Sequence, residues 1–255
     1  MNKKLVVLAG GVAAAAIAGY ATAAGNWVEI SERGNQICIR SNSIPNHATG
    51  QFPNRGNPHT IRPQNINVCV TASPTKGSRA RGTGPGAIGI ALNGVLIRPG
   101  TADYWDPTSP RGHSRNRSSG WNLEGMGSAK MLGMDSANAH VDNRGTYHYH
   151  GAPIRAVRTQ GGTQVGWAAD GFEIHYVGSR AKSGYRLKKG TRPSGPGGRY
   201  DGRYVEDWVF VGGAGKLDQC NGGTLNGQYV YFATDTFPFY PRCFWGRPSR
   251  SFRGL

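Results

Sequence analysis

Apolar and β-branched residues along this chain come in short runs of four to eight, each bounded by glycine, proline, asparagine or aspartate. Such runs are the signature of strands, not of long amphipathic helices. They predict strands over 27–32, 36–40, 67–71, 86–92, 95–98, 146–150, 165–169, 172–177, 205–210 and 228–233. Asn93-Gly94 lies between two of the runs and predicts a hairpin with a type I′ turn, because both residue types adopt positive φ readily. The best helix candidate is 128–139: Ser128 is placed to cap it, and Met131, Leu132 and Met134 to face the core, although Gly133 weakens it. The segment 180–203 is crowded with Gly, Pro, Lys and Arg and is expected to be an exposed loop.

The resulting fold class is mainly β. We expect a single Gly-rich domain over 24–255, built of short antiparallel strands in a sandwich-like or barrel-like arrangement with few short helices. The 40 glycines and 15 prolines among 255 residues enforce that brevity by interrupting every run.

Residues 1–23 stand outside this pattern. Lys3 and Lys4 precede an Ala-rich apolar run, and Ala21-Thr22-Ala23 places small residues where a signal peptidase needs them. The segment reads as a signal peptide, with an uncleaved anchor as the alternative. The expected address is secreted or periplasmic, with no membrane span after cleavage. The four cysteines agree with export to an oxidising compartment. They permit three pairings, of which Cys38–Cys69 and Cys220–Cys243 are expected, since each closes a local loop between strand-like runs.

The formal charge of +16 favours acidic partners, either an anionic envelope polymer or a partner protein. Specific nucleic-acid binding is not expected. The basic loop Arg111–Arg117 lacks interleaved aromatics, and no helix-turn-helix, zinc-finger or RNP motif is present. P-loop, dinucleotide and Gly-x-Ser-x-Gly fingerprints are also missing.

The chemistry-bearing stretch is Gly145-Thr-Tyr-His-Tyr-His-Gly151. On a strand, alternate side chains share a face, so His148 and His150 leave one side and Tyr147 and Tyr149 the other. His140 lies just before the Asp-Asn-Arg-Gly turn at 142–145, and a hairpin there brings it beside the pair. Three neutral imidazoles suit zinc or copper. His47, in a Pro/Asn/Gly-rich loop, is a candidate fourth ligand; His59, His113 and His175 are weaker candidates, with His113 expected at the surface. Asp142 or Asp170 would orient a ring nitrogen, and Asp170 is the one candidate acid–base residue. The competing view is structural: a His-x-His strand can simply hydrogen-bond to its neighbours. One internal echo bears on that choice. Residues 227–232, Gly-Gln-Tyr-Val-Tyr-Phe, repeat the Tyr-x-Tyr frame with Val230 and Phe232 at the histidine positions.

The chain resembles the YHYH family of exported proteins. The resemblance runs through Ser41-Asn-Ser-Ile-Pro-Asn-His47, Ala91-Leu-Asn-Gly-Val95, 145–151, Ala169-Asp-Gly-Phe172, Leu217-Asp-Gln-Cys-Asn-Gly222 and Arg242-Cys-Phe244. Glu173, His175 and Gln219 depart from the family pattern, in which a second Tyr-His-Tyr-His is also common at 229–232. The resemblance implies no established activity. Three functions follow from the residues themselves: a copper- or zinc-binding or accessory protein of the cell envelope, a metal-dependent hydrolase or oxidoreductase using the same histidines, or a non-catalytic module for an anionic polymer or partner protein.

Overall fold

The computed structural model describes residues 25–153 and 161–255; the expected signal peptide lies outside them. The chain is mainly β, in several short and mostly antiparallel sheets that do not close into a barrel. The principal sheet has eight strands. Across it run Ala139–Val141, Tyr147–Tyr149, Leu96–Ile97, Gly89–Ala91, Gln164–Ala168, Glu173–Tyr176, Gln228–Ala233 and Gly222–Leu225. A three-stranded sheet of Val28–Arg33, Gln36–Ser41 and Ile66–Thr71 adds Ile39, Ile66, Val68 and Val70 to the same core.

The eight strands form two copies of one four-stranded unit. In each copy an antiparallel hairpin comes first: Gly89–Ala91 with Leu96–Ile97, and Gln164–Ala168 with Glu173–Tyr176. The second strand of that hairpin pairs in parallel with a Tyr-x-Tyr strand, Tyr147–Tyr149 or Gln228–Ala233. The Tyr-x-Tyr strand then pairs antiparallel with an edge strand, Ala139–Val141 or Gly222–Leu225. The copies join where Ile90 faces Trp167, flanked by Gly89↔Ala168 and Ala91↔Gly166. Ile90 and Trp167 hold equivalent places, so the register there is that of a local two-fold.

The hairpin turns correct one expectation. Ala91 N–H bonds to Val95 O and Gly94 N–H to Ala91 O, with positive φ at Gly94 but not at Asn93. This is a three-residue connection with a left-handed glycine closing it, not a type I′ turn. Ala168, Asp170, Gly171 and Phe172 repeat it in the second copy.

Two further expectations are corrected. No helix forms over 128–139. A single 3₁₀ turn at Met126–Ser128 gives way to turns, and Ala139 begins a strand. Gly133 and Asn138 take positive φ, and the Asp135 carboxylate accepts from Ala137 N and Ala139 N, which diverts those donors from a helix. The segment 180–203 is not wholly an exposed loop. Tyr185–Leu187 pairs with Trp208–Phe210, and Arg192 is buried, bonding both oxygens of buried Asp207 at 2.8 and 2.6 Å. Both expected disulfides are present: Cys38–Cys69 staples adjacent strands, and Cys220–Cys243 ties the second Tyr-x-Tyr hairpin to the C-terminal segment.

Candidate metal centre

Antiparallel pairing sets His140 directly opposite His148, and strand alternation returns His150 to the same face. One ligand nitrogen from each of the three lies within 4.8 Å of the others. His140 is half-buried, and His148 and His150 are buried. Each Nδ1 faces a backbone carbonyl: His140 that of Leu132 at 2.9 Å, His148 that of Thr146 at 3.0 Å, and His150 that of Pro99 at 3.3 Å. A carbonyl can only accept, so each contact favours a proton on Nδ1 and a lone pair on Nε2. These carbonyls take the orienting part expected of Asp142 or Asp170.

Nε2 of His140 and Nε2 of His150 are 3.2 Å apart. Two lone pairs at that distance repel unless something positive lies between them. Without a metal, His150, which has the longest carbonyl contact, can carry its proton on Nε2 and donate to His140. A metal ion there would be held by Nε2 of His140, His148 and His150, with the His150 proton on Nδ1 toward Pro99 O. Two nitrogens about 2.0–2.1 Å from a tetrahedral zinc lie roughly 3.3 Å apart, so the spacing fits. Protonation is disfavoured: burial pushes His148 and His150 well below the ordinary imidazole value, and the Arg98 charge adds to the effect. Burial lowers His140 as well. The rings are therefore neutral at neutral pH, as ligands must be.

The tyrosines hold the strand from behind. Tyr147 donates to Asp135 Oδ2 at 2.7 Å. Tyr149 accepts from Asn93 Nδ2 at 2.9 Å and donates to His47 Nε2 at 2.6 Å. His47 thus sits on the tyrosine face, stacked on Tyr149, and the structure does not bring it to the other three.

The second copy repeats this frame in detail. Tyr229 donates to Asp218 Oδ2 at 2.7 Å, and Tyr231 to Asp170 Oδ2 at 2.8 Å. Asp218 caps the same turn as Asp135, accepting from Cys220 N and Gly222 N. Asn138 and Asn221 both take positive φ, and their carbonyls accept from His150 N and Phe232 N respectively. At the three ligand places the second copy has Gly223, Val230 and Phe232, and the latter two pack with Leu217. In the second copy the frame therefore stands without histidines.

A model of the family described as YHYH protein matches residues 67–246. The chain belongs to the YHYH family. The matched span holds both Tyr-x-Tyr hairpins and all three converging histidines, whereas His47 and His59 precede it. No curated protein and no solved structure matches this YHYH chain.

The remaining sequence candidates lie elsewhere. Asp170 belongs to the second copy, where Tyr231 and Gly246 N share Oδ2, and the structure does not bring it to the imidazoles. His175 is buried between Thr163 Oγ1 at 2.9 Å and Glu173 Oε2 at 2.7 Å. His113 is buried, not exposed, with Asp103 Oδ2 3.4 Å from its Nδ1. Sequence reasoning missed Arg98 and Gly125. Arg98 follows the strand paired with the histidine strand, donates to Asp142 Oδ2 at 2.7 Å and keeps a buried, unpartnered Nε. Gly125 lies against the His150 ring, where a Cβ would strike Nδ1. No local pattern marks either residue, because both act across strands distant in sequence.

Proposed function

We propose that this chain is an exported metal-binding protein of the cell envelope that holds zinc or copper through Nε2 of His140, His148 and His150. One observation carries the reading. The second copy keeps the tyrosines, the aspartate of the Asp135 turn, the left-handed asparagine and the turn itself, while the face that bears the imidazoles in the first copy is apolar in the second. Export is supported by two disulfides, which persist in oxidising compartments, and by the N-terminal pattern. Among the described residues no helix is long and apolar enough to cross a membrane.

Elemental analysis of purified, tag-free protein tests this. One equivalent of zinc or copper is expected, absent from a His148→Ala/His150→Ala variant that remains folded. Folded wild-type protein that takes up neither metal on reconstitution would overturn the reading.

A second reading is a metal-dependent hydrolase or oxidoreductase. It is favoured by the ligand count, since three protein ligands leave one tetrahedral position to a non-protein group. The unpartnered Arg98 Nε would favour an oxygen-bearing one. Turnover of an ester, phosphoester or phenol panel that requires both metal and Arg98 would establish it.

A further inference from the structure

A cleft of about 830 Å³ opens beside the histidine hairpin. Its lining includes Asn54, Arg55, Lys130, Met131, Met134 and Arg203. No acidic side chain lines it, and Arg55, Lys130 and Arg203 form no ion pair among the described residues. The volume lies within the ~300–1,000 Å³ usual for ligand sites.

The walls are built, not loose. Asn54 Nδ2 donates to Gly133 O at 2.9 Å, and its Oδ1 accepts from Gly56 N and Asn57 N at 2.9 Å each. Gly56 and Gly133 touch backbone to backbone, with no room for a Cβ at either. Arg203 O accepts from Glu124 N and from Ser128 Oγ, which fixes the third wall. The walls therefore present three cations from three separate segments. Exposed Met131 adds an apolar surface to the lining.

We infer that this cleft binds an acidic oligosaccharide, a ligand whose carboxylates are spaced along the chain and whose rings offer C–H faces between them. Cations carried by three separate segments suit a ligand with several separate carboxylates. The methionines match a sugar ring's apolar face and have no counterpart on a polyphosphate. The cleft stands independently of the metal reading, although Leu132, whose carbonyl orients His140, lies within its wall segment.

The test is calorimetric titration of the full exported chain, after chelator treatment, with trigalacturonate, tripolyphosphate and neutral maltotriose. Trigalacturonate should bind, with an affinity that falls as salt rises. An Arg55→Gln/Lys130→Gln/Arg203→Gln variant should lose at least ~10-fold, since several exposed ion pairs are removed together. An Arg111→Gln/Arg115→Gln/Arg117→Gln variant removes the same charge elsewhere and should stay within about two-fold. Met131→Ala should weaken trigalacturonate and leave tripolyphosphate unchanged. Equal losses in the two charge variants, or no binding of trigalacturonate, would overturn the cleft as a site. Tripolyphosphate binding more tightly than trigalacturonate, with Met131→Ala silent on both, would overturn the carbohydrate assignment.

Discussion

His140 and Gly223 occupy the same place in two copies of one hairpin, each following a left-handed asparagine by two residues and facing its Tyr-x-Tyr strand. The protein thus contains its own control for the metal centre, and the predictions below draw on it.

Writing the second copy's face onto the first should remove the metal and keep the fold. A His140→Gly/His148→Val/His150→Phe variant retains every frame hydrogen bond of Tyr147, Tyr149, Asp135 and Asn138. Thermal unfolding should show a change of less than about 2 kcal/mol, and elemental analysis should show no zinc or copper. An unfolded variant would mean that the imidazoles are structural after all.

Acid should destabilise the metal-free protein in a defined window. His148 and His150 are held well below their ordinary value of 6.5 by burial. In the unfolded chain they take up protons as pH falls through that value, while the folded chain resists, so the unfolded state binds more protons. Stability is therefore fully present above about pH 6.5 and declines as pH falls below it. Chemical denaturation at a series of pH values should show this decline, and it should be shallower in the triple variant. Identical slopes for the two proteins would contradict the argument.

Gly125→Ala should weaken metal binding without unfolding the chain. The added methyl strikes the His150 ring and turns Nε2 away from His140 and His148. Changes that disturb ligand orientation commonly cost ~10–100-fold in affinity. Competition with a chelating dye measures the loss; an unchanged affinity would show that the ring accommodates the methyl.

Arg192→Met should be the most damaging change far from the centre. It leaves the fully buried Asp207 carboxylate without its bidentate partner. Removing one member of a buried pair typically costs ~3–5 kcal/mol. An Arg192→Met/Asp207→Asn variant should recover part of the loss, as read by denaturant midpoints.

Much of this was legible in the sequence for a physical reason. Alternation along Tyr147–Tyr149 and the short reach of the turn at 142–145 fixed the meeting of His140 with His148 and His150 through local geometry alone. The repeated Tyr-x-Tyr frame was visible as an echo, but only the strand pairing makes it part of two copies of one unit. What stayed hidden depended on long-range placement. His47 has the loop context of a ligand, yet its ring is claimed by Tyr149 on the other face, across 102 residues. Asp170 carries the look of a base, but the two-fold sets it at the place of Asn93, where it anchors Tyr231. The segment 128–139 had helical periodicity until Asp135 captured its amides for a turn.

The anchored phenols behind the histidine ribbon have a last consequence. Tyr147 and Tyr149 are buried and tethered at their far ends, so the ribbon cannot flex to suit an incoming ion. If an ion binds as proposed, the sheet would dictate donor spacing, and stiffness rather than donor chemistry would discriminate among ions by radius. The selectivity of the proposed site would then reside on the side of the strand that faces away from the ion.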